Sequence, residues 1–444
     1  MDRILRWHGR SLAGVGMQWG NEAVGRAFRS RISLSLRVPS TLRAYGYLHD
    51  MLLQHPMEEE TLPLYESEQY YPVKIGQVFA DRYEVVGKLG YGAHSTNWLC
   101  RDLRSHSFRT VKVSTCLGHQ PQASAFRERA VYRHIAAVTA QSTHPGKHLI
   151  RTLHDDFSLD GTSGSHHALV FRPMYATMRE RARQHPHGVL RLADAKRLIR
   201  GLLLALAFLH DEAGVVHTDL KTDNLMLTIE DGGMLNDFVH QEETSPSMCR
   251  KSPEGGLIYR SRAFRPPDAG MGAGTPMLCD FGDARIGLVQ QPCRHVQPVV
   301  FRAPEVVFDM EWGTGADMWN VSGLVWELIQ GERLFRDVVD ISGGGHNAFR
   351  HSARMVALLG NPPESFLHRS MATAQCFDTD GSWIAQNEAE VPPVSLQNLE
   401  CRYGSASTER NDFLDFIRAT LQWLPENRQP ARELLQHPWL LTTQ

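Results

Sequence analysis

The sequence predicts an α+β protein of two lobes: a small β-rich lobe over about residues 83–174, then a larger helical lobe over about 175–440. Three observations carry that prediction. Short β-branched and aromatic runs separated by turn residues fill residues 83–171. Apolar residues at helical spacing dominate from Leu192 onward. The chain has 444 residues, 42% of them hydrophobic and 22% charged, enough to bury a sizeable core.

The elements follow in order. Residues 1–60 read as a leader; up to residue 49 it carries eight arginines, no lysine and only Asp2 and Glu22 as acids. Arg-rich and acid-poor is the composition of a mitochondrial transit segment and equally of a disordered basic leader, and both readings stay open. An acidic joint, Glu58-Glu59-Glu60, leads into a connector over residues 61–82. Strands are expected at Tyr83–Val86, Trp98–Cys100, Phe108–Val113 and His167–Phe171, with a helix at Ala123–Ile135 between the last two. Further helices are expected at Ala193–His210, Gly315–Gln330, Ala353–Leu359, Asp412–Leu421 and Ala431–Gln436. Two long polar stretches, 228–277 and 377–410, read as loops, either functional insertions or disordered.

Composition removes several function classes. Lys plus Arg is 47 against 49 Asp plus Glu, so no bulk basic field points to a nucleic-acid partner. The longest apolar run, Leu202–Leu209, is far short of the ~20 residues that span a bilayer, so no membrane span is expected. Seven scattered cysteines without a C-x-x-C pair argue against a disulfide framework. The 22 histidines form no H-E-x-x-H, which argues against a zinc centre.

The chemistry concentrates in a few segments. Gly90-Tyr91-Gly92 sits between two strands, where missing Cβ atoms let backbone N–H groups close over phosphates. Lys112 is centred in the apolar strand Thr110-Val111-Lys112-Val113 and needs a negative partner, because an unpaired buried charge is expensive. Glu128, the only acid between Lys112 and Asp155, supplies one from the next helix. The strongest signal is His217-Thr218-Asp219-Leu220-Lys221-Thr222-Asp223-Asn224, followed later by Asp280-Phe281-Gly282. In that spacing Asp219 would accept the proton of an attacking hydroxyl and Lys221 would steady a transferring phosphoryl group. Asn224 and Asp280 are oxygen ligands suited to Mg²⁺.

With these residues the chain resembles eukaryotic-type protein kinases over residues 83–440. Ala303-Pro304-Glu305 looks like the end of the activation segment. Asp317-Met318-Trp319-Asn320-Val321-Ser322-Gly323 resembles the helix that braces the catalytic loop. Arg428 resembles the arginine that pairs with the glutamate of Ala303-Pro304-Glu305, and His217, Phe281 and Tyr132 would stack as a spine.

More narrowly, Tyr71-Pro72-Val73-Lys74-Ile75-Gly76, Leu89-Gly90-Tyr91-Gly92-Ala93-His94-Ser95-Thr96, Trp98-Leu99-Cys100, His217-Thr218-Asp219 and Ala357-Leu358-Leu359-Gly360 resemble the kinases of serine/arginine-rich splicing factors. The resemblance implies a bilobal kinase fold and Mg²⁺- and ATP-dependent serine/threonine phosphorylation of Arg/Ser-rich proteins linked to spliceosome assembly. It also implies a monomer working in cytoplasm and nucleus. ATP would be held by Leu89, Gly90, Gly92, Ser95, Lys112, Glu128, Met174, Asn224 and Asp280.

Two departures, Asn97 and Thr110, put polar groups against the base and motivate an alternative, an impaired kinase-fold scaffold. Glu332, Asp337 and Asp340 are candidates for an acidic groove facing Arg-rich substrates. From Asp283 to Arg302 the sequence has no Ser, Thr or Tyr, and Thr218 stands where regulated relatives carry an arginine, so no activating phosphorylation is expected there.

Overall fold

The computed structural model describes residues 55–442, apart from 118–119, 122, 163, 186–187, 253–255, 268–273, 294, 340–344 and 404–406. The Arg-rich leader, with its two readings, and Asp340 lie outside the described residues.

Two-residue alternation builds the small lobe. Six antiparallel strands lie in the order Val78–Phe79, Tyr83–Gly92, Ser95–Asp102, Phe108–Ser114, Gly164–Phe171, Leu153–Gly161. Val111 and Val113, with Ala168 and Val170 across the ladder, join Tyr83, Val85, Trp98 and Cys100 in an outer cluster. The residues between them, Lys112, Leu169 and Phe171, therefore occupy the opposite face, toward the helix Ala123–Thr139. One register step would turn Lys112 outward, so burial of the valines fixes where the lysine goes.

The strand Leu153–Gly161 is absent from the expectations because Asp155 and Asp156 interrupt its pattern. Tertiary partners neutralise both: Arg82 pairs with Asp155 at 3.2 Å, where Tyr83 also donates at 2.7 Å, and Arg129 and Arg133 hold Asp156 at 2.6 and 3.0 Å.

The large lobe is helical, as its apolar spacing predicts. Leu192–Ala207 carries Leu198, Leu202 and Leu206 on one buried stripe, then widens into a π-turn at Phe208–Glu212 rather than running straight to residue 210. Thr314–Gln330 is buried on nearly every side and stops at Gly331, whose φ of 78° suits a residue without Cβ. Ala348–Leu359 begins five residues before the expected Ala353, capped by Asn347; its polar His351 and Ser352 are fully buried. Thr408–Thr420 and Ala431–Leu434 complete the lobe.

Between the lobes a three-stranded sheet, Met174–Thr177, Leu225–Thr228 and Pro276–Leu278, brings the first lobe's exit beside Asn224 and Asp280. The stretch 228–277, read from composition as loop, holds a helix, Gly233–Thr244, and a hairpin, Cys249–Lys251 with Leu257–Tyr259. The helix buries Met234, Phe238 and Glu242 at i, i+4, i+8 spacing, and only two of these are apolar, which hides it from a hydrophobicity count.

It packs on the Tyr83–Gly92 strand at Gly87, where a Cβ would come within 2.8 Å of the Phe238 ring. The stretch returns with Tyr259 in the small lobe's outer cluster and the Arg262 amide on the Lys88 carbonyl at 2.9 Å. Lys88 is fully buried and pairs with Glu59, while Arg250 pairs with Glu60, so the acidic joint is a docking segment. Among the described residues no helix is long and apolar enough to cross a membrane, no disulfide forms, and no three or more His, Cys, Asp and Glu side chains gather as a metal-ligand group.

Candidate active site

Lys112 lies between two carboxylates. Its Nζ is 2.8 Å from Glu128 Oε2 and 3.0 Å from Asp280 Oδ1, so strand, helix and interlobe turn meet at one ammonium. Burial alone would lower the Lys112 pKa, but Asp280 and Glu128 outweigh it and raise it above the ordinary lysine value. Burial pushes the Asp280 carboxyl up; the Lys112 charge and hydrogen bond, with Lys221, overcome that and hold it well below the usual range.

The catalytic-loop candidates sit on the other side of Asp280. Lys221 Nζ reaches Asp219 Oδ2 at 2.6 Å, and Asn224 Nδ2 donates to the same oxygen and to the Asp219 carbonyl, both at 2.8 Å. Oδ1 is thus the oxygen left to take a proton. Burial raises the Asp219 pKa, with Lys221 opposing, a direction that suits a base. The loop is braced from below by Asp317, fully buried, which accepts from the His217 and Thr218 amides at 2.8 and 2.7 Å and pairs with His210 at 2.9 Å. Those bonds hold Thr218 at φ 68°, a costly conformation for a β-branched residue. Phe281 contacts Tyr132 and His217, with ring centroids 5.0 and 4.8 Å apart, and His217 Nε2 meets the Cys279 carbonyl at 3.1 Å.

Two adjoining cavities, of about 680 and 330 Å³, share Gly92, Ser95, Lys112, Glu128 and Asp280. The larger is also lined by Leu89, Gly90, Met174 and Asn224; the smaller by Asp219 and Lys221. The eleven residues expected to hold the nucleotide or carry the chemistry therefore all line one or other of these two adjoining cavities. The residues fit a nucleotide and a hard cation. A Cβ on Gly90 or Gly92 would meet no protein atom, so the open volume there is available to a phosphate chain. With Asn224 Nδ2 committed to Asp219, its Oδ1 and the Asp280 carboxylate form an oxygen donor pair. Glu332 and Asp337 line neither cavity and both face Arg336.

The sequence family described as the protein kinase domain matches residues 83–263 and 270–440. The chain belongs to the protein kinase family. A serine/threonine protein kinase of Aspergillus fumigatus is 36% identical over 392 residues, covering 87% of this chain and 91% of that protein. The serine/threonine-protein kinase SRPK of Physarum polycephalum is 27% identical over 404 residues, with 86% and 91% covered. SRSF protein kinase 3 of Mus musculus is 22% identical over 532 residues, with 88% and 92% covered. The crystal structure of a kinase domain shares the fold at a TM-score of 0.62 and 21% identity, covering 84% of this chain and 100% of that one. This kinase is of the serine/threonine class, and its relatives include the SR-protein kinases.

The kinase holds its activation segment with uncharged side chains as well as with Arg127, which donates to the Gly282 carbonyl at 2.8 Å and pairs with Asp283 at 3.3 Å. Gln297 donates from Nε2 to the Ala316 carbonyl and to Asn320 Oδ1, both at 2.9 Å, and accepts from the Ala303 amide at 2.9 Å. Asn320 Nδ2 donates to the Phe301 carbonyl at 2.8 Å, and Thr218 Oγ1 to the Asp283 carbonyl at 3.0 Å. Below it, Arg428 forks onto Glu305 with two 2.7 Å bonds.

Sequence reading missed two groups at the kinase's nucleotide cavity. Arg151 gave no signal beyond a charge after the apolar Leu149-Ile150, and the residues Ser261–Phe264 belong to the stretch read as loop.

Proposed function

We propose that this kinase transfers the γ-phosphoryl group of Mg²⁺-bound ATP to hydroxyls of Arg/Ser-rich proteins, and through them serves mRNA splicing. One observation carries the reading: Lys112, fixed between Glu128 and Asp280, borders both the cavity lined by Asp219 and Lys221 and the adjoining one lined by Asn224. In this reading Lys112 orients the nucleotide phosphates, and the backbone at Gly90 and Gly92 covers them. Asp219 Oδ1 takes the hydroxyl proton, and Lys221 lies against the phosphoryl group as it moves. Asn224 and Asp280 would hold Mg²⁺, which neutralises phosphate charge when bound.

The substrate class is supported by the Pro72-Val73-Lys74-Ile75-Gly76 lead-in and by relatives named for SR proteins. Cytoplasm and nucleus are the matching compartments; a full-length fluorescent fusion found only in mitochondria would overturn that placement.

The test is phosphate transfer from Mg-ATP to an Arg-Ser repeat peptide, against the same peptide with every Arg replaced by Ala. The native kinase should prefer the Arg-Ser peptide, and Asp219→Asn should lose about 10²–10⁴ in rate with its melting temperature kept. Equal rates for the two proteins would refute the mechanism. Equal use of the two peptides would refute the substrate class.

A further inference from the structure

The lining of the nucleotide cavity includes Arg151, whose side chain can only donate, together with Thr110 and Asn97, which can donate or accept. We propose that this kinase accepts 6-oxopurine triphosphates, GTP and ITP, as phosphoryl donors, with the Arg151 guanidinium reading O6 and N7 of the base. The inference rests on the reading of this cavity as a nucleotide site.

Arg151 is a buried cation, 9% exposed, whose backbone is pinned by its amide on the Leu278 carbonyl at 2.9 Å. Its guanidinium lies 4.4 Å over the Phe171 ring, and Nη2 donates to the Arg172 carbonyl at 3.0 Å. That is the side chain's only hydrogen bond among the described residues, and Nε is buried without a partner. A guanidinium carries five N–H donors, and burying it with one bond made leaves a strong demand for acceptors. Thr110 adds to that demand. It sits directly across the ladder from Phe171, is 3% exposed, lines the same cavity, and has its Oγ1 buried with no partner.

The two kinds of purine answer this lining differently. Adenine offers one acceptor, N7, beside an amino donor at C6, which would set donor against donor at a guanidinium; the Arg172 carbonyl, two residues before Met174, already accepts one bond from Arg151. A 6-oxopurine offers two acceptors side by side, O6 and N7, at the spacing of a guanidinium fork. Asn97, also in the lining, adds an amide that can donate or accept. The chemistry at the other end is unchanged by the base. The bond from the γ-phosphorus to its bridging oxygen breaks, a bond to the substrate hydroxyl oxygen forms, the proton passes to Asp219, and the nucleoside diphosphate leaves.

The test compares kcat/KM on one Arg-Ser peptide with the magnesium salts of ATP, GTP and ITP, for the native kinase, Arg151→Met and Thr110→Ala. GTP and ITP should serve the native kinase within about tenfold of ATP, and the GTP-to-ATP ratio should fall about tenfold or more in Arg151→Met. A smaller fall is expected in Thr110→Ala. The ratio isolates base reading, since a general structural defect lowers both donors together. Displacement of a fluorescent ADP analogue from the native kinase by GDP and IDP, again within about tenfold of ADP, gives the same answer should Arg151→Met fail to fold. A native preference for ATP beyond tenfold, or a ratio that Arg151→Met leaves unmoved, overturns the donor assignment while the proposed function stands. Transfer from no triphosphate overturns both.

Discussion

Arg428 and Glu305 bury a full charge each, with side chains at 0% and 1% exposure, and satisfy each other through two parallel bonds. Arg428→Ala should destabilise the fold by about 3–5 kcal/mol, most of it the cost of the bare carboxylate left behind, read in a denaturant titration. Arg428→Ala combined with Glu305→Gln should recover part of the loss, because the amide needs no counter-charge. Both residues were legible in the sequence, as were Lys112, Glu128, Asp219, Asn224 and Asp280, because chemistry fixes residue type and spacing together. Arg151 was not legible. A lone arginine has no spacing partner, and its meaning arises only where the fold lays it over Phe171 and beside Arg172.

At the scale of the element, the segment from Asp283 to Arg302 contains no hydroxyl that could be phosphorylated; Thr218, Gln297 and Asn320 fasten it through uncharged bonds, beside the ion pair of Arg127 with Asp283 and the Arg302–His346 bond. Gln297 is central: it sits at φ 66° and ties the segment to both Ala316 and Asn320. Gln297→Ala should lower kcat on a peptide substrate about tenfold or more while nucleotide affinity changes little, measured by parallel kinetics and direct binding. Phosphatase treatment of the native kinase should leave its activity unchanged; a large loss traced to a site between Asp280 and Glu305 would contradict the reading. Element existence was legible wherever periodicity was strong, as in Leu192–Ala207 and Thr314–Gln330. It was lost where partners distant in sequence neutralise a polar residue, as Arg129 and Arg133 do for Asp156 in the strand Leu153–Gly161. Arg262 does the same for Glu242 in the helix Gly233–Thr244.

For the whole molecule, acid should be the weak side. Arg302 donates to His346 Nδ1 at 3.2 Å, and His346 Nε2 meets His351 Nδ1 at 2.9 Å, a chain that requires both rings neutral. Burial, with the Arg302 charge beside it, pushes His346 down to about 4, and burial holds His351 well below its ordinary value. The unfolded chain takes up protons near 6.5 that the folded one refuses, so stability is full above that pH and is lost as pH falls toward 4. The melting temperature should drop steadily across that window, and less steeply in His346→Gln. The insertion bears on the molecule in another way. Tyr259 completes the outer cluster of the small lobe, and its hydroxyl receives the Ile75 amide across 184 residues of chain. At about 5–20 residues per second, a ribosome needs roughly 10–40 s to travel that distance. Through that interval the strand Tyr83–Gly92 lacks Phe238, which packs at Gly87, and Tyr259 of the outer cluster. The lobe that emerges first is the one that must wait, and its hydrophobic face is the surface a nascent-chain chaperone would meet.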